Sequence, residues 1–320
     1  MQSKLIRTAH FLLLSYTNLK LTSMLKRKCP LLIYFVLGIV FISNSQDNKD
    51  TSRSSRSYFK ASVSYLSNSV YNGRKDSVKL PYITPSIGYY NKNGLYVSGS
   101  LSYLTTTAYS GIDLFSLQTG YDFSISDKLY GGIYASKYFF NNASTDVRAE
   151  TKGGVGGNIN YDTKIVDISS GIGVIFSSKT DINLYGSFSH PFYFGDNFGV
   201  NPTVTGNLGS QNYYQDFITN RKSDGGSRGR GDGGRGRNGG NSGGGSTPST
   251  VTTSSAKFGI LDYEISIPLS YYGNRWGVHL TPTYAIPQNP VVVKSSINSP
   301  YTTEKLENTF YAQLSVYFKF

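Results

Sequence analysis

The sequence contains few of the residues that supply redox, metal or acid–base chemistry. Its 320 residues include one cysteine and three histidines. The cysteine, Cys29, lies near the N-terminus, so the chain after residue 45 has neither a disulfide nor thiol chemistry. Zinc and iron sites need ligands clustered at defined spacing, which the two histidines after residue 45, His190 and His279, do not supply because they are isolated. We therefore predict no metal and no cofactor, and the chain has no P-loop, calcium loop or dinucleotide motif.

Long apolar runs are also missing, except near the N-terminus. Residues 31–42 are 12 residues without a charge, which is short of the roughly 20 that a transmembrane helix needs. They follow the basic triplet 26–28 and precede the small residues Ser43 and Ser45. This layout is typical of a secretory signal peptide, so we predict that 1–45 is removed after Ser45. Residues 1–23 do not fit the pattern, so we predict that Met24 is the true start.

The net charge of +12 is unevenly distributed. Residues 1–45 hold six basic residues and no acidic ones, so the remaining chain has 25 basic against 19 acidic residues, a net +6. The Gly/Arg-rich stretch 221–246 contributes six basic residues against two acidic ones. It contains nothing to bury and is predicted to be a disordered loop. Its basic residues are candidates for contact with extracellular polyanions: Arg221, Lys222, Arg228, Arg230, Arg235 and Arg237.

The composition favours β structure, with 27 Tyr, 18 Phe and 35 Gly. Apolar residues alternate with polar ones in the last segment, 308–320, which ends on Phe320. One face of such a strand is apolar and the other is polar, as in a barrel with lipid outside. Tyr317, Phe318 and Phe320 are candidates for the C-terminal signal that directs membrane insertion.

Similar alternating segments recur after a polar leader at 46–57, and the region 58–320 is predicted to form an up-and-down transmembrane β-barrel. We expect about ten strands, with eight to twelve as the allowed range. They are 58–68, 82–91, 95–105, 112–123, 128–140, 165–177, 180–192, 257–272, 275–286 and 308–320. Residues 152–162 are either a further strand or part of a long loop, and 193–220 could add a hairpin.

Turn length predicts which connections face which side of the membrane. Short turns are expected in the periplasm and long loops outside. The predicted periplasmic turns are 92–94, 124–127, 178–179 and 273–274. The predicted extracellular connections are 69–81, 141–164, 193–256 and 287–307.

Two hairpins can be given a register. A three-residue loop with Gly94 in the left-handed conformation pairs Asn91 with Leu95 and places Tyr89 opposite Val97. The second hairpin is predicted to turn at residues 273–274 and to pair Tyr272 with Arg275. It places these residues on one apolar face: Leu261, Tyr263, Ile265, Ile267, Leu269, Trp276, Val278, Leu280 and Tyr284.

The polar face of the second hairpin carries the lumen candidates Asp262, Glu264 and His279. A barrel hydrolase would need a nucleophile with a histidine nearby that is oriented by an acid. In the predicted register His279 lies opposite Pro268 and Glu264 opposite Thr283, which puts Glu264 roughly 13 Å from His279. We therefore predict no catalytic residues and no enzyme activity. The alternatives are an outer-membrane hydrolase and a secreted soluble β-sandwich.

The end of the chain resembles small outer-membrane β-barrel proteins of Bacteroidetes-type bacteria, and the likeness in architecture covers about 57–320. The resemblance rests on 261–276, which begins Leu-Asp-Tyr-Glu-Ile-Ser-Ile-Pro, on 280–290, and on the terminal Tyr-Phe-Lys-Phe. That ending is similar to the signal read by the barrel-assembly machinery. The group is of largely unassigned function, so the resemblance implies a fold and a location and no site residues. The Gly/Arg-rich stretch departs from its usual pattern.

These observations predict a monomer in the cell outer membrane. The expected partners are outer-membrane lipid and lipopolysaccharide, the barrel-assembly machinery during biogenesis, and extracellular polyanions. The expected role is structural, surface-interacting or that of a narrow channel, since a narrow barrel tends to have its lumen filled by side chains.

Overall fold

The computed structural model describes residues 56–106, 110–163, 165–214, 251–252, 258–294 and 301–320. All of them belong to one unit, Lys49–Phe320. Among these residues there is no helix long and apolar enough to cross a membrane. The predictions for residues 1–45, for the leader 46–57 except its last two residues, and for the stretch 221–246 concern residues outside the described ones.

The described residues form 20 strands. In chain order they are β1 (Tyr58–Leu66), β2 (Val70–Tyr71), β3 (Arg74–Lys75), β4 (Tyr82–Tyr90), β5 (Leu95–Thr105), β6 (Ser110–Ser124), β7 (Leu129–Phe140), β8 (Gly153–Tyr161), β9 (Asp167–Phe176), β10 (Thr180–Ser189), β11 (Phe192–Phe194), β12 (Phe198–Val200), β13 (Thr203–Gly209), β14 (Val251–Thr252), β15 (Gly259–Ser266), β16 (Leu269–Tyr272), β17 (Trp276–Pro287), β18 (Val292–Lys294), β19 (Tyr301–Thr303) and β20 (Thr309–Lys319).

Within the described part of the chain, twelve long strands form a closed antiparallel barrel. Their order is β1, β4, β5, β6, β7, β8, β9, β10, β13, β15, β17 and β20. The last strand pairs with β17 on one side and with β1 on the other, so the sheet has no free edge. All ten predicted strands are present. The two additional ones are β8, at the segment left open as strand or loop, and β13, which lies within 193–220, where an added hairpin had been left open in a predicted extracellular connection. The expected count of about ten is therefore corrected to twelve.

Three short strands, β11, β12 and β16, continue barrel strands beyond proline residues. The interruptions fall at Pro191, Pro202 and Pro268, because proline has no N–H to give to the ladder. Neighbouring N–H groups keep the strands aligned there: Asn201 donates to the Pro268 carbonyl at 2.9 Å and Ile267 to the Pro282 carbonyl at 3.1 Å. Three strands are thus extended toward one end of the barrel.

The outer face of the barrel is apolar. Exposed aliphatic side chains cover it: Ile87, Val97, Leu101, Leu117, Ile133, Ile159, Ile172, Leu184, Ile265 and Leu314. Exposed aromatic rings gather on the extended strands and on the neighbouring start of β17. The ring centroids of Tyr271 and Trp276 lie 5.2 Å apart, and those of Phe194 and Phe198 lie 6.0 Å apart. A closed barrel with an apolar exterior flanked by aromatic residues is the form in which strands cross the outer membrane. The chain is an outer-membrane β-barrel protein.

The two ends of the barrel differ. The turn end carries short connections at 91–94, 125–128, 162–166, 195–197 and 273–275, together with the C-terminal Phe320. The loop end carries the connections from β1 to β4, from β7 to β8, from β13 to β15 and from β17 to β20. The short turn at 177–179 also lies at the loop end, because β8 precedes β9. Its predicted place among the periplasmic turns is therefore wrong.

One predicted register is correct and the other is displaced by two residues. The first hairpin has the predicted register. The Asn91 N–H donates to the Leu95 carbonyl at 2.8 Å, Tyr89 pairs with Val97, and Gly94 has a φ of 100°. In the second hairpin Tyr272 pairs with Gly277 rather than Arg275. The Gly273 N–H donates to the Trp276 carbonyl, which makes a longer turn than predicted. A displacement of two leaves every side chain on its predicted face.

Leu261 is the exception to that apolar face. A bulge between β13 and β15 sets Asn207 opposite Asp262 and Leu208 opposite Ile260. The extra residue in β15 turns Leu261 inward, where it is buried, and Ile260 becomes the exposed residue. The prediction that Leu261 faces lipid is wrong for this reason.

Candidate functional site

A short hairpin in the first long connection folds into the loop end of the barrel. This inward-folded hairpin consists of β2, β3 and the turn Asn72-Gly73, with Tyr71 paired to Arg74. Asn72 has a φ of 49° and Gly73 a φ of 72°, the left-handed pair that a two-residue type I′ turn requires. The sequence Asn-Gly is the usual solution to that requirement, so the local sequence dictates the hairpin.

The tip of the inward-folded hairpin lies against the inside of the barrel wall. A Cβ atom built on Gly73 would lie 2.9 Å from Pro287 Cα on β17 and 2.9 Å from Asp262 Cβ on β15. On β10, Asn183 Nδ2 donates to the hydroxyl of Tyr71 at 3.1 Å. The hairpin therefore contacts three strands on one side of the wall, β10, β15 and β17. Its turn approaches β15 and β17 so closely that it leaves no room for a side chain.

Arg74 is the central contact of the hairpin. Its side chain is 2% exposed and forms an ion pair with Glu304 at 3.3 Å. Its Nη2 donates to Gln211 Oε1 at 3.1 Å and to the carbonyls of Gln288 and Asn289 at 3.0 and 2.6 Å. A buried guanidinium is tolerated only when it is paired and hydrogen-bonded in this way. Arg74 thus joins the hairpin to the segments that follow β13 and β17 and precede β20.

Glu304 is the matching anionic centre. Besides Arg74, it accepts hydrogen bonds from the Tyr214 hydroxyl at 2.8 Å and from the Val291 N–H at 3.1 Å. The Arg74 guanidinium also lies over the Tyr214 ring, 5.1 Å from its centroid. The carboxylate is therefore surrounded by donors from three separate parts of the chain.

A second buried carboxylate, Asp146, holds the connection between β7 and β8. It is fully buried, accepts from the Ser69 hydroxyl at 2.6 Å, and pairs with Arg148 at 3.2 Å. Burial alone would raise the pKa of Asp146, but the charge of Arg148 and the hydrogen bonds from Arg148 and Ser69 outweigh burial and lower it. Ser69 directly precedes the hairpin, so this pair fixes the hairpin's base.

A third buried carboxylate, Asp181, organises the chain after β13. Its oxygens accept from the Ser210 hydroxyl at 2.6 Å and from the N–H groups of Asn212 and Tyr213 at 2.7 and 2.8 Å. Tyr213 is fully buried beside Tyr71, and burial raises the pKa of Tyr213 well above its usual range. The apolar side chains of Val147, Tyr213, Tyr214 and Val291 pack together beside these polar contacts. We call the whole assembly the cap: the inward-folded hairpin, Arg74 with Glu304, the buried carboxylates Asp146 and Asp181 with their partners, and this apolar cluster.

The wall below the cap is different in character. On β1, β4, β5 and β6 several inward positions carry small hydroxyl side chains, which hydrogen-bond across the strands: Ser62 with Ser86 at 2.6 Å and Ser100 with Ser116 at 2.7 Å. Toward the turn end the same face carries the stacked rings of Tyr58, Tyr90 and Tyr96. The hydroxyl side chains leave a cavity of about 180 Å³ that Lys60 and Gln118 also line. This part of the lumen wall is therefore polar and borders an open cavity.

The residues predicted to face the lumen occupy separate places. Asp262 is buried and accepts from Asn207 Nδ2 at 2.7 Å, and Glu264 accepts from the Tyr311 hydroxyl at 2.9 Å. His279 Nδ1 lies 2.8 Å from the Ser270 hydroxyl, so its partner is Ser270 and not Pro268.

Glu264 pairs with Ala285 rather than with Thr283. It is therefore six residues along β17 from His279, roughly 20 Å at the usual rise. The structure brings no histidine and acid together at this wall, and the described residues contain no group of three metal-ligating side chains.

The terminal residues divide between the two faces. Phe320 is exposed on the outside and Phe318 pairs with Ala61 on the outer face of β1. Tyr317 points inward, is buried, and stacks on His279 with ring centroids 5.4 Å apart. Their role as an insertion signal stays a prediction, and the basic residues of 221–246 lie outside the described residues.

The sequence analysis did not predict the inward-folded hairpin, nor did it predict that Arg74 is a buried contact. The signal was present: Asn72-Gly73 sits between Val70-Tyr71 and Arg74-Lys75 and is the strongest short-range indication of a hairpin. Residues 69–81 were instead predicted to be a single extracellular connection. Nothing local marks Arg74 as buried, because its partners lie 137 to 230 positions away along the chain.

Acid is expected to weaken the cap through Asp146. Because its folded pKa is lowered, the stability that its charge provides is complete above the unfolded value of about 3.9 and is lost as the pH falls through the folded pKa. We expect Asp146→Asn to lower the free energy of unfolding at pH 6 by about 2–3 kcal/mol, somewhat less than for a fully buried pair. The difference from wild type should shrink as the pH is lowered from 4 to 2 in urea titrations. A difference that stays constant across this range would contradict the assignment.

No protein-family model matches the sequence, and no curated protein matches it. Solved structures of outer-membrane channels do match. The KdgM porin is 8% identical with a TM-score of 0.43, over 82% of this chain and 99% of its own. The NanC porin is 12% identical with a TM-score of 0.44, over 82% and 100%. The COG4313 outer membrane channel from Pseudomonas putida F1 is 8% identical with a TM-score of 0.46, over 87% and 100%. At these values the likeness concerns the barrel outline and transfers no residue or ligand.

Proposed function

We propose that this chain is a narrow outer-membrane channel that is constricted at its loop end by the inward-folded hairpin. By the general rule for such barrels, the loop end faces outside and the turn end faces the periplasm. Solutes would pass between the hydroxyl-lined wall and the opposite strands once the inward-folded hairpin moves away from the lumen.

The observation that carries the proposal is that the barrel wall leaves a cavity, while the contacts at the loop end come from a hairpin that is not part of the wall. A barrel of about eight strands has an interior that side chains of its own strands can just fill, whereas this barrel has twelve strands. Here the wall of β1, β4, β5 and β6 carries serines and leaves a cavity of about 180 Å³. The closure comes instead from a separate hairpin that is held by polar contacts such as Arg74 with Glu304. A pathway closed by a separable element is the arrangement of a gated channel.

Two other roles receive less support. Surface interaction depends on 221–246, and its contact with polyanions stays a prediction. An outer-membrane hydrolase would require a histidine beside an acid, and His279 and Glu264 are six positions apart on the wall. The narrower resemblance to the Bacteroidetes-type group, the monomeric state and the barrel-assembly partner also stay predictions.

Planar-bilayer recording tests the proposal. Refolded protein, checked for heat-modifiable migration on gels, should produce discrete conductance steps smaller than those of a wide diffusion porin. A correctly folded preparation that never conducts, even after urea has loosened the cap, would argue for a closed scaffold.

A further inference from the structure

Two lysines face each other inside the barrel near the turn end. Lys60 on β1 and Lys319 on β20 are direct register partners. Lys60 Nζ lies 4.6 Å from the centroid of the Tyr317 ring, and Lys319 Nζ lies 5.3 Å from that of Tyr58. Both amines therefore stand over inward-facing aromatic rings. Lys60 also lines the lumen cavity.

This pairing is unfavourable unless something compensates for it. Like charges placed directly opposite each other on neighbouring strands destabilise a sheet. None of the ion pairs found among the described residues includes Lys60 or Lys319. The carboxylates nearest to them in the fold are the C-terminal one, which follows Lys319 directly, and Asp122, whose charge acts on the Tyr58 ring. Cation–π contacts recover only about 0.5–1 kcal/mol each at sites open to water.

The surroundings of Lys60 supply the other groups that an anion needs. The cavity of about 180 Å³ is bordered by the hydroxyls of Ser62, Ser86 and Ser98 and by the Gln118 side chain. The amide nitrogen of Gln118 is held by donating to the Tyr96 hydroxyl at 2.9 Å. Since each water takes about 30 Å³ of liquid volume, the space admits a solute of several heavy atoms with part of its hydration.

We propose that Lys60 and Lys319 form a binding site for a small oxyanion of the carboxylate or phosphate class, and that this site makes the lumen select anions over cations. The selectivity part rests on the channel function proposed above, whereas the binding part does not. Rings of lysine or arginine are the usual means by which a narrow pore favours anions. The tyrosine rings hold the two amines in the lumen instead of allowing them to extend into the periplasm.

Binding is tested without any current. The lysines of the refolded barrel are converted to ¹³C-dimethyl lysines, which keep their charge, and the protein is titrated with inorganic phosphate. The Lys60 and Lys319 resonances, assigned from the single Met variants, should shift saturably. Lys137 is the matched control, because it is exposed on the outer face of β7 opposite Leu117 and should not shift. Shifts of equal size at all three lysines would overturn the site.

Selectivity is tested by reversal potentials in a potassium chloride gradient. The wild-type anion-to-cation permeability ratio should exceed one, and Lys60→Met combined with Lys319→Met should lower it at least about threefold, as expected when the local positive potential is removed. Lys137→Met removes the same charge from the outer face and should leave the ratio unchanged. Saturable phosphate shifts in a protein that never conducts would keep the site and refute the channel. A conducting protein without such shifts would do the reverse.

Discussion

Replacing Arg74 with methionine is expected to detach the inward-folded hairpin and to raise the single-channel conductance several-fold. The change leaves Glu304 and the carbonyls of Gln288 and Asn289 without their buried donor. Removing one partner of a buried ion pair costs about 3–5 kcal/mol. The barrel ladder does not involve this side chain, so the loss should fall on the cap and leave the barrel folded.

Conductance and hydrogen exchange measure this effect together. Amides of 69–77 should lose protection in Arg74→Met, while those of the barrel strands keep it. Lys75→Met is the matched control, since Lys75 lies next in the same strand and makes an ion pair with Glu307 that is largely open to water. Exposed pairs contribute about 0–1 kcal/mol, so this control should resemble wild type. Equal behaviour of the two variants would contradict the role given to Arg74.

Replacing Gly73 with alanine is expected to have a comparable effect by a different route. Its added Cβ would lie 2.8 Å from Pro287 Cβ and 2.9 Å from Asp262 Cβ, closer than non-bonded carbon atoms approach. Overpacking of this kind costs about 1–3 kcal/mol, because atoms must move apart. The positive φ of Gly73 adds roughly 1 kcal/mol for any residue with a Cβ. The hairpin should therefore leave the wall.

Gly195 separates the two contributions. It lies in the turn between β11 and β12, has a φ of 61°, and a Cβ placed on it would meet nothing within 4 Å. Gly195→Ala thus introduces the backbone strain without the overlap. In urea titrations Gly73→Ala should be the more destabilising variant, and it alone should raise conductance. Equal losses in both would mean that strain, and not contact with the wall, explains the result.

The strands that face lipid could be read from the sequence because their signal is local. Alternation with a period of two identified β4, β5 and β20 from their own residues, and Gly94 fixed the turn between the first two. β13 was not among the ten expected strands, although a hairpin in 193–220 was left open, because Pro202 interrupts its strand and its residues 203–209 include two glycines. Without β8 and β13 the strand count was too low, and the turn at 177–179 was assigned to the wrong end of the barrel for the same reason.

Parity explains the error in the second hairpin. A register displaced by two residues keeps each side chain on the same face of the sheet. The alternation of apolar and polar residues is therefore equally compatible with Tyr272 paired to Arg275 and with Tyr272 paired to Gly277. The bulge that buries Leu261 leaves no signature in the alternation of β15 itself. It arises between two strands that are distant in sequence.

The cap was beyond sequence reasoning for a related reason. Arg74 meets Glu304, and Asp146 meets Ser69, only because barrel closure brings their connections to one rim. Each of the three charged residues lies in a polar segment, which the sequence alone assigns to solvent. The hairpin could have been predicted from Asn72-Gly73, although its direction of folding could not.

The most direct test of the account is the single-channel conductance of a chain without the hairpin tip. Val70 and Lys75 are paired neighbours, so residues 71–74 can be replaced by two glycines without moving either end. If the inward-folded hairpin is the constriction, the shortened chain should conduct several-fold more than wild type in the same bilayer. Indistinguishable conductance from two correctly folded proteins would show that the hairpin does not control the lumen.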